Sequence, residues 1–219
     1  SVGTPAAVSA LQLSLLVVAI VVPLNVLFGV PTALVLARNR FRGKSVLQAI
    51  IDLPFALPTI VASLVLLSLY GPGSPVGIHI QHTSWGVALA LAFVTLPFVV
   101  RAVQPVLLEL DHEVEEAAAS LGANNLTIFV RVILPALAPA LLSGAGLAFS
   151  RAIGEFGSIV LIGGAIPGET EVSSQWIRTL IENDDPTGAA AISIVLLVVA
   201  VGVAARAVPG GGAYPGPQS

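Results

Sequence analysis

The stretch Glu116-Ala-Ala-Ala-Ser-Leu-Gly-Ala-Asn-Asn-Leu-Thr-Ile-Phe-Val-Arg-Val-Ile-Leu-Pro135 is a polar, helix-forming segment set between long apolar runs. Glu113, Glu115 and Glu116 stand at the start of a short helix, where the positive end of the dipole favours carboxylates. Gly122 then allows a turn, and Gly-Ala-Asn-Asn breaks the helix. The segment reads as a short amphipathic connector lying outside a hydrophobic bundle. That contrast sets the fold class: all-α, a polytopic transmembrane helix bundle.

Composition agrees. Of 219 residues, 56% are hydrophobic and 10% are charged, far from the balance of a soluble domain. A helix needs about 20 apolar residues to cross the hydrocarbon core. Five runs qualify: about 10–37, 46–70, 84–100, 136–163 and 187–205. None alternates in polarity as outer-membrane strands do, and backbone amides in lipid need internal partners, so each is expected to be a helix. The connector occupies about 109–135. Residues 1–206 form one transmembrane domain, and 207–219, rich in Gly and Pro, form a flexible tail. The chain has no cysteine, which excludes disulfides and thiolate metal sites.

Loop charges orient the bundle. Arg38, Arg40, Arg42 and Lys44 place the first connection in the cytoplasm by the positive-inside rule. The connection 71–83 has no Lys or Arg and lies outside. The connector 109–135 then falls inside, the acidic connection 164–186 outside, and the C-terminus inside. Five spans put Ser1 outside, and a further N-terminal helix upstream of Ser1 is expected. Pro23, Pro54, Pro58 and Pro97 lie within spans and are expected to kink them. Gly144, Gly146 and Ala148 are read chiefly as helix-packing residues.

The connector resembles the EAA loop of ATP-binding-cassette importer permeases, through Glu116-Ala117-Ala118, Gly122, Val132, Leu134 and Pro135. Further blocks are similar to the T-type permease subunit of sulfate/thiosulfate importers. They are Asp52-Leu-Pro-Phe-Ala-Leu-Pro-Thr59, Pro97-Phe-Val-Val-Arg-Ala-Val-Gln-Pro-Val106, Gly154-Glu-Phe-Gly-Ser158 and Ile166-Pro-Gly-Glu-Thr-Glu-Val172. The resemblance implies the type I importer permease fold in a bacterial inner membrane. It implies a W-type permease partner, two ATPase subunits carrying ATP and magnesium, and an extracytoplasmic sulfate-binding protein. It makes Glu116, Ala117, Ala118 and Gly122 the contacts that couple the chain to its ATPase. Three departures stand out: Ser63 where the family usually has glycine, which weakens the packing argument for the second span; Ala165 and Glu169 in place of the usual asparagine and lysine; and a tail without a basic ending.

Other motifs carry little chemistry. Arg42-Gly43-Lys44-Ser45 ends like a phosphate-binding P-loop, but Arg38 stands where the pattern needs glycine and no strand precedes it. The ATP site therefore belongs to another chain, and no cofactor is expected here. His112-Glu113 lacks the second histidine of a zinc-protease helix, and all three histidines read as solvated loop residues. Nothing points to an enzyme or to nucleic-acid binding. Arg151 and Glu155 are four residues apart within the fourth expected span, where a charge costs about 2.5–3.5 kcal/mol. They are either a structural pair or part of the translocation path. Asp52, near the cytoplasmic end of the second span, is a further path candidate or simply reaches water. A molybdate/tungstate permease and an ATP-independent anion transporter remain as alternatives.

Overall fold

Helix α1 (Pro5–Arg38) begins with Pro5 at its first position, where the missing N–H would be unpaired anyway. The Thr4 hydroxyl accepts from the Ala7 amide at 3.4 Å. The computed structural model describes residues 3–207, and those residues contain helices and turns but no strand. The remaining expected tail, 208–219, lies outside the described residues, and Ala207 belongs to the last helix.

The second expected span is not one helix. α2 (Lys44–Ala56) and α3 (Thr59–Tyr70) meet at Leu57-Pro58 with a bend of 119°. Proline disfavours the helical region for the residue before it, and Leu57 is extended at φ −96°, ψ 141°. Among the described residues, four unbroken apolar stretches are long enough to cross a bilayer, and the α2/α3 pair can supply a fifth span. α4 (Ser84–Glu109) runs nine residues beyond the expected end at Val100, because the polar Arg101 and Gln104 continue the helix.

α5 (His112–Ser120), α6 (Asn125–Ile128) and a π-helical turn (Phe129–Ile133) lead into α7 (Leu134–Ile153). In the π turn the Leu134 amide reaches back to the Phe129 carbonyl. This widening falls immediately before Pro135, whose ring would otherwise crowd the carbonyl four residues back. The fourth expected span is shorter than predicted at its far end. α7 stops at Ile153, and 154–172 is a series of turns containing Gly154, Gly157, Gly163, Gly164 and Gly168. α8 (Ser173–Glu182) and α9 (Pro186–Ala207) complete the chain.

α1 and α4 form the spine. Gly29 lets them approach closely, since a Cβ there would stand 3.0 Å from Val99 Cγ1. The buried Asn25 amide donates to Thr95 Oγ1 at 2.7 Å, a polar link between the two helices at bilayer depth. One apolar core lies on one side of this link and includes Val17, Val21, Leu91 and Ile162. A second lies on the other and includes Ala33, Leu36, Val103 and Leu137. Gly144 seats α7 on α4, and Gly146 seats it on α9. Both are packing positions.

The irregular segment after α7 is held by α3. Ser63 is fully buried, and its Oγ accepts from the Leu161 and Ile162 amides at 3.1 and 3.3 Å. The His82 amide donates to the Ile162 carbonyl at 2.7 Å. A side chain at Gly157 would collide with Thr59 Oγ1. Ser63 therefore ties α3 to the irregular segment through a hydroxyl that glycine would lack. Ala165, a half-buried departure from the family pattern in sequence, adopts φ 50°, a left-handed conformation that asparagine tolerates better.

Ser63→Ala leaves two amides without their acceptor, at a cost of about 1–3 kcal/mol. Thermal unfolding of the detergent-purified protein should show this as a lower midpoint. An unchanged midpoint would mean that the hydroxyl does not support the segment.

Candidate functional site

The connector folds as two capped helices on either side of the expected break. Asp111 Oδ1 accepts from the Glu113 amide at 2.9 Å and starts α5. At its other end the Gly122 amide bonds the Ala119 carbonyl at 2.9 Å, and the Ala123 amide bonds the Ala118 carbonyl at 3.1 Å. These two bonds form a Schellman stop, which needs a left-handed residue, and Gly122 has φ +88°. Asn124 then caps α6, its Oδ1 accepting from the Thr127 amide at 2.8 Å. Gly-Ala-Asn-Asn is thus a helix stop followed directly by a helix start.

The four residues expected to couple to an ATPase divide between two faces. Glu116 and Ala117 are exposed, whereas Ala118 is half-buried against the second core. Gly122 lies in the exposed turn, with nothing within 4 Å of a would-be Cβ. α5 contains no buried residue. Leu121 is 90% exposed and Leu126 71% exposed, so apolar side chains flank the turn on its open side. An exposed apolar patch rimmed by carboxylates is suited to a protein partner.

Arg38, at the end of α1, pairs with Glu115 through both guanidinium nitrogens, one contact being Nη1 to Oε2 at 2.7 Å. The hydrogen bond from Arg38 holds the Glu115 carboxyl below its ordinary value of 4.5, against the opposing effect of burial and aided by the charges of Arg38 and His112. Because the folded value is lowered, the stabilisation is present at neutral pH and is lost as pH falls through that lowered value. His112 Nδ1 lies 3.3 Å from Arg38 Nη1. This histidine stays exposed, as expected, but it begins α5 rather than lying in a loop and touches the Arg38–Glu115 pair.

Asp52 does not simply reach water. Arg101 Nε donates to its Oδ1 at 2.8 Å, and Arg101 Nη2 contacts Oδ2. The side chains remain 47% and 31% exposed, on the flank of α4 where α2 packs. Arg101 was not anticipated as a partner, since it lies 49 residues from Asp52. Its position inside the Pro97–Val106 block was the available signal.

Arg151 and Glu155 do pair, but Glu155 lies past the end of α7 rather than inside a helix. Its side chain is 1% exposed while that of Arg151 is 37% exposed. Glu155 Oε1 also accepts from the Ser158 amide at 2.8 Å, and its carbonyl accepts from Ser174 Oγ at 2.6 Å. The carboxylate thus organises the turn between α7 and α8.

A bundle of long apolar helices that projects a capped helix pair with apolar flanks is suited to a membrane protein that meets a partner at that end. Residues 25–208 match the family model described as binding-protein-dependent transport system inner membrane component. The chain belongs to this family. A sulfate transport system permease protein CysT of Salmonella typhimurium is 44% identical over 207 residues, covering 91% of this chain and 75% of that one. The CysT proteins of Escherichia coli K12 and Synechococcus elongatus are 42% and 46% identical, covering 91% and 89% of this chain and 75% and 72% of their own lengths. Among solved structures, the inward-facing MetNI methionine ABC transporter superposes with a TM-score of 0.71 at 18% identity, covering 91% of this chain and 92% of that one. A bacterial alginate ABC transporter does so with a TM-score of 0.71 at 15% identity, covering 94% and 78%. These likenesses establish the type I importer permease fold.

The left-handed turn separates backbone from bulk. Forcing a β-branched residue into it costs about 1–2 kcal/mol, so Gly122→Val should cut transport about ten-fold, while Gly122→Asn retains most of it. Uptake normalised to protein level by immunoblot measures both. Equal loss in the two variants would assign the requirement to side-chain bulk instead.

Proposed function

We propose that this chain is the T-type permease subunit of a sulfate/thiosulfate importer. The observation that carries this reading is 42–46% identity, over about nine-tenths of the chain, to permeases named for sulfate transport. The proposed complex contains a W-type permease, two ATPase subunits and an extracytoplasmic binding protein. ATP with magnesium is hydrolysed on the ATPases, and this chain performs no chemistry itself. The basic cluster Arg38, Arg40, Arg42 and Lys44 supports a cytoplasmic position for the α5 end, with the Ser1 end outside and the C-terminus inside.

In this reading Glu116, Ala117 and the Gly122 turn meet the ATPase, while Ala118 keeps α5 on the bundle. Closure of the ATPases moves α5, and the bundle alternates between outward and inward openings. Asp52, now with Arg101, belongs to the path. The pair stands near the cytoplasmic end of the second span and stays half-exposed, where water or a partner subunit can cover it. Arg151 presents its open side to the same path, with Glu155 holding it in place.

Labelled sulfate uptake in cells lacking their own sulfate importer tests the substrate. Unlabelled thiosulfate should compete strongly and molybdate weakly. Molybdate as the better competitor would reassign the chain to molybdate/tungstate transport. Sulfate transport by the purified chain alone in liposomes would overturn the ATPase-driven mechanism.

A further inference from the structure

Of the basic cluster at the end of α1 and just beyond it, Arg38 alone is ion-paired among the described residues. Among the described residues, Arg40, Arg42 and Lys44 enter no ion pair, whereas Arg38 and Glu115 are 17% and 16% exposed at the side chain and joined at two points. A two-point guanidinium–carboxylate contact fixes orientation as well as distance, which a single point charge cannot do. His112 and Glu115, three residues apart on α5, both meet Arg38. One face of α5 is thereby committed to α1, and Glu116 and Ala117 remain exposed.

α5 needs such a tie because it buries no residue of its own. Apart from half-buried Ala118, it has no apolar anchorage within α5. The charges also suit both helices. Arg38 stands in the last turn of α1, where a cation is favoured, and Glu115 in the first turn of α5, where an anion is favoured. α1 in turn contributes to both apolar cores and is linked to α4 through Asn25 and Thr95. A displacement of α5 therefore has a rigid route into the helix that runs the length of the bundle.

We propose that Arg38 is a positioning residue that clamps α5 to α1, so that movement imposed on α5 is delivered to the transmembrane bundle. The proposal rests on the coupling reading of α5. Loss of the clamp leaves α5 able to dock but no longer able to pull on α1. ATP hydrolysis then continues while transport fails.

The test uses the whole importer, purified and reconstituted in liposomes, with sulfate as the transported anion. Arg38→Ala should assemble normally and hydrolyse ATP at close to the unmodified rate. Sulfate transported per ATP should fall about ten-fold, within the usual range of coupling effects, with the KM for sulfate unchanged. An unchanged ratio overturns the clamp. If Arg38→Ala lowers the yield of complex, Arg38→Lys carries the test, because it keeps the charge and loses the two-point geometry. A raised ATP cost with normal assembly is expected, and a normal ratio overturns the proposal. The chain has no native cysteine, so Ala117→Cys supplies a single crosslinking site. Failure to crosslink to an ATPase chain would overturn the coupling reading itself. Crosslinking together with an unchanged ratio in the Arg38 variant would overturn the clamp alone.

Discussion

At bilayer depth there is no water to pair with backbone amides, so a chain that departs from helix there must satisfy those groups from within the protein. This bundle departs twice, at Leu57-Pro58 and across 154–172, and the two departures meet. Ser63 of α3 accepts from the Leu161 and Ile162 amides, and Gly157 sits against Thr59 at the α3 start. The break in α2/α3 brings the start of α3 against the irregular segment. Each irregularity is tolerated because the other packs against it. The His82 amide closes the same unit from the preceding loop.

The spine of α1 and α4 carries this unit at one end and the α5–α6 connector at the other. Two apolar cores lie along it, with the Asn25–Thr95 hydrogen bond between them. Many large apolar side chains point outward, including Leu27 and Phe28 on α1 and Leu197 and Val198 on α9. In water such a surface would aggregate, whereas in a bilayer or against a second permease it is already in a suitable solvent. The fold is consistent only with that setting.

Three ion pairs act at different structural levels. Arg151–Glu155 is local and shapes the turn into α8, because the carboxylate also accepts from the Ser158 amide. Asp52–Arg101 joins the broken span to the spine and stays half-open. Arg38–Glu115 joins the spine to the connector and is largely enclosed. Exposure differs with role: the enclosed Arg38–Glu115 pair holds parts together, the Arg151–Glu155 pair buries its carboxylate while Arg151 stays open, and the Asp52–Arg101 pair remains available to whatever faces the bundle.

By itself the sequence determined the class of protein, the approximate positions of the apolar runs and the connector with its Glu116-Ala117-Ala118 and Gly122 pattern. These are local properties: apolar length, charge distribution and turn-forming residues act within a few positions of one another. The left-handed stop at Gly122 and the break at Pro58 were both foreshadowed by residue type, although the 119° angle was not. The end of α7 is not legible in the sequence, because apolar residues after Ile153 continue a hydropathy pattern without continuing a helix. Only the tertiary structure decided that Arg101 faces Asp52, that Arg38 faces Glu115 across 77 residues, and that Ser63 caps a segment nearly a hundred residues away. Such contacts depend on where helices cross, and no spacing along the chain encodes that directly.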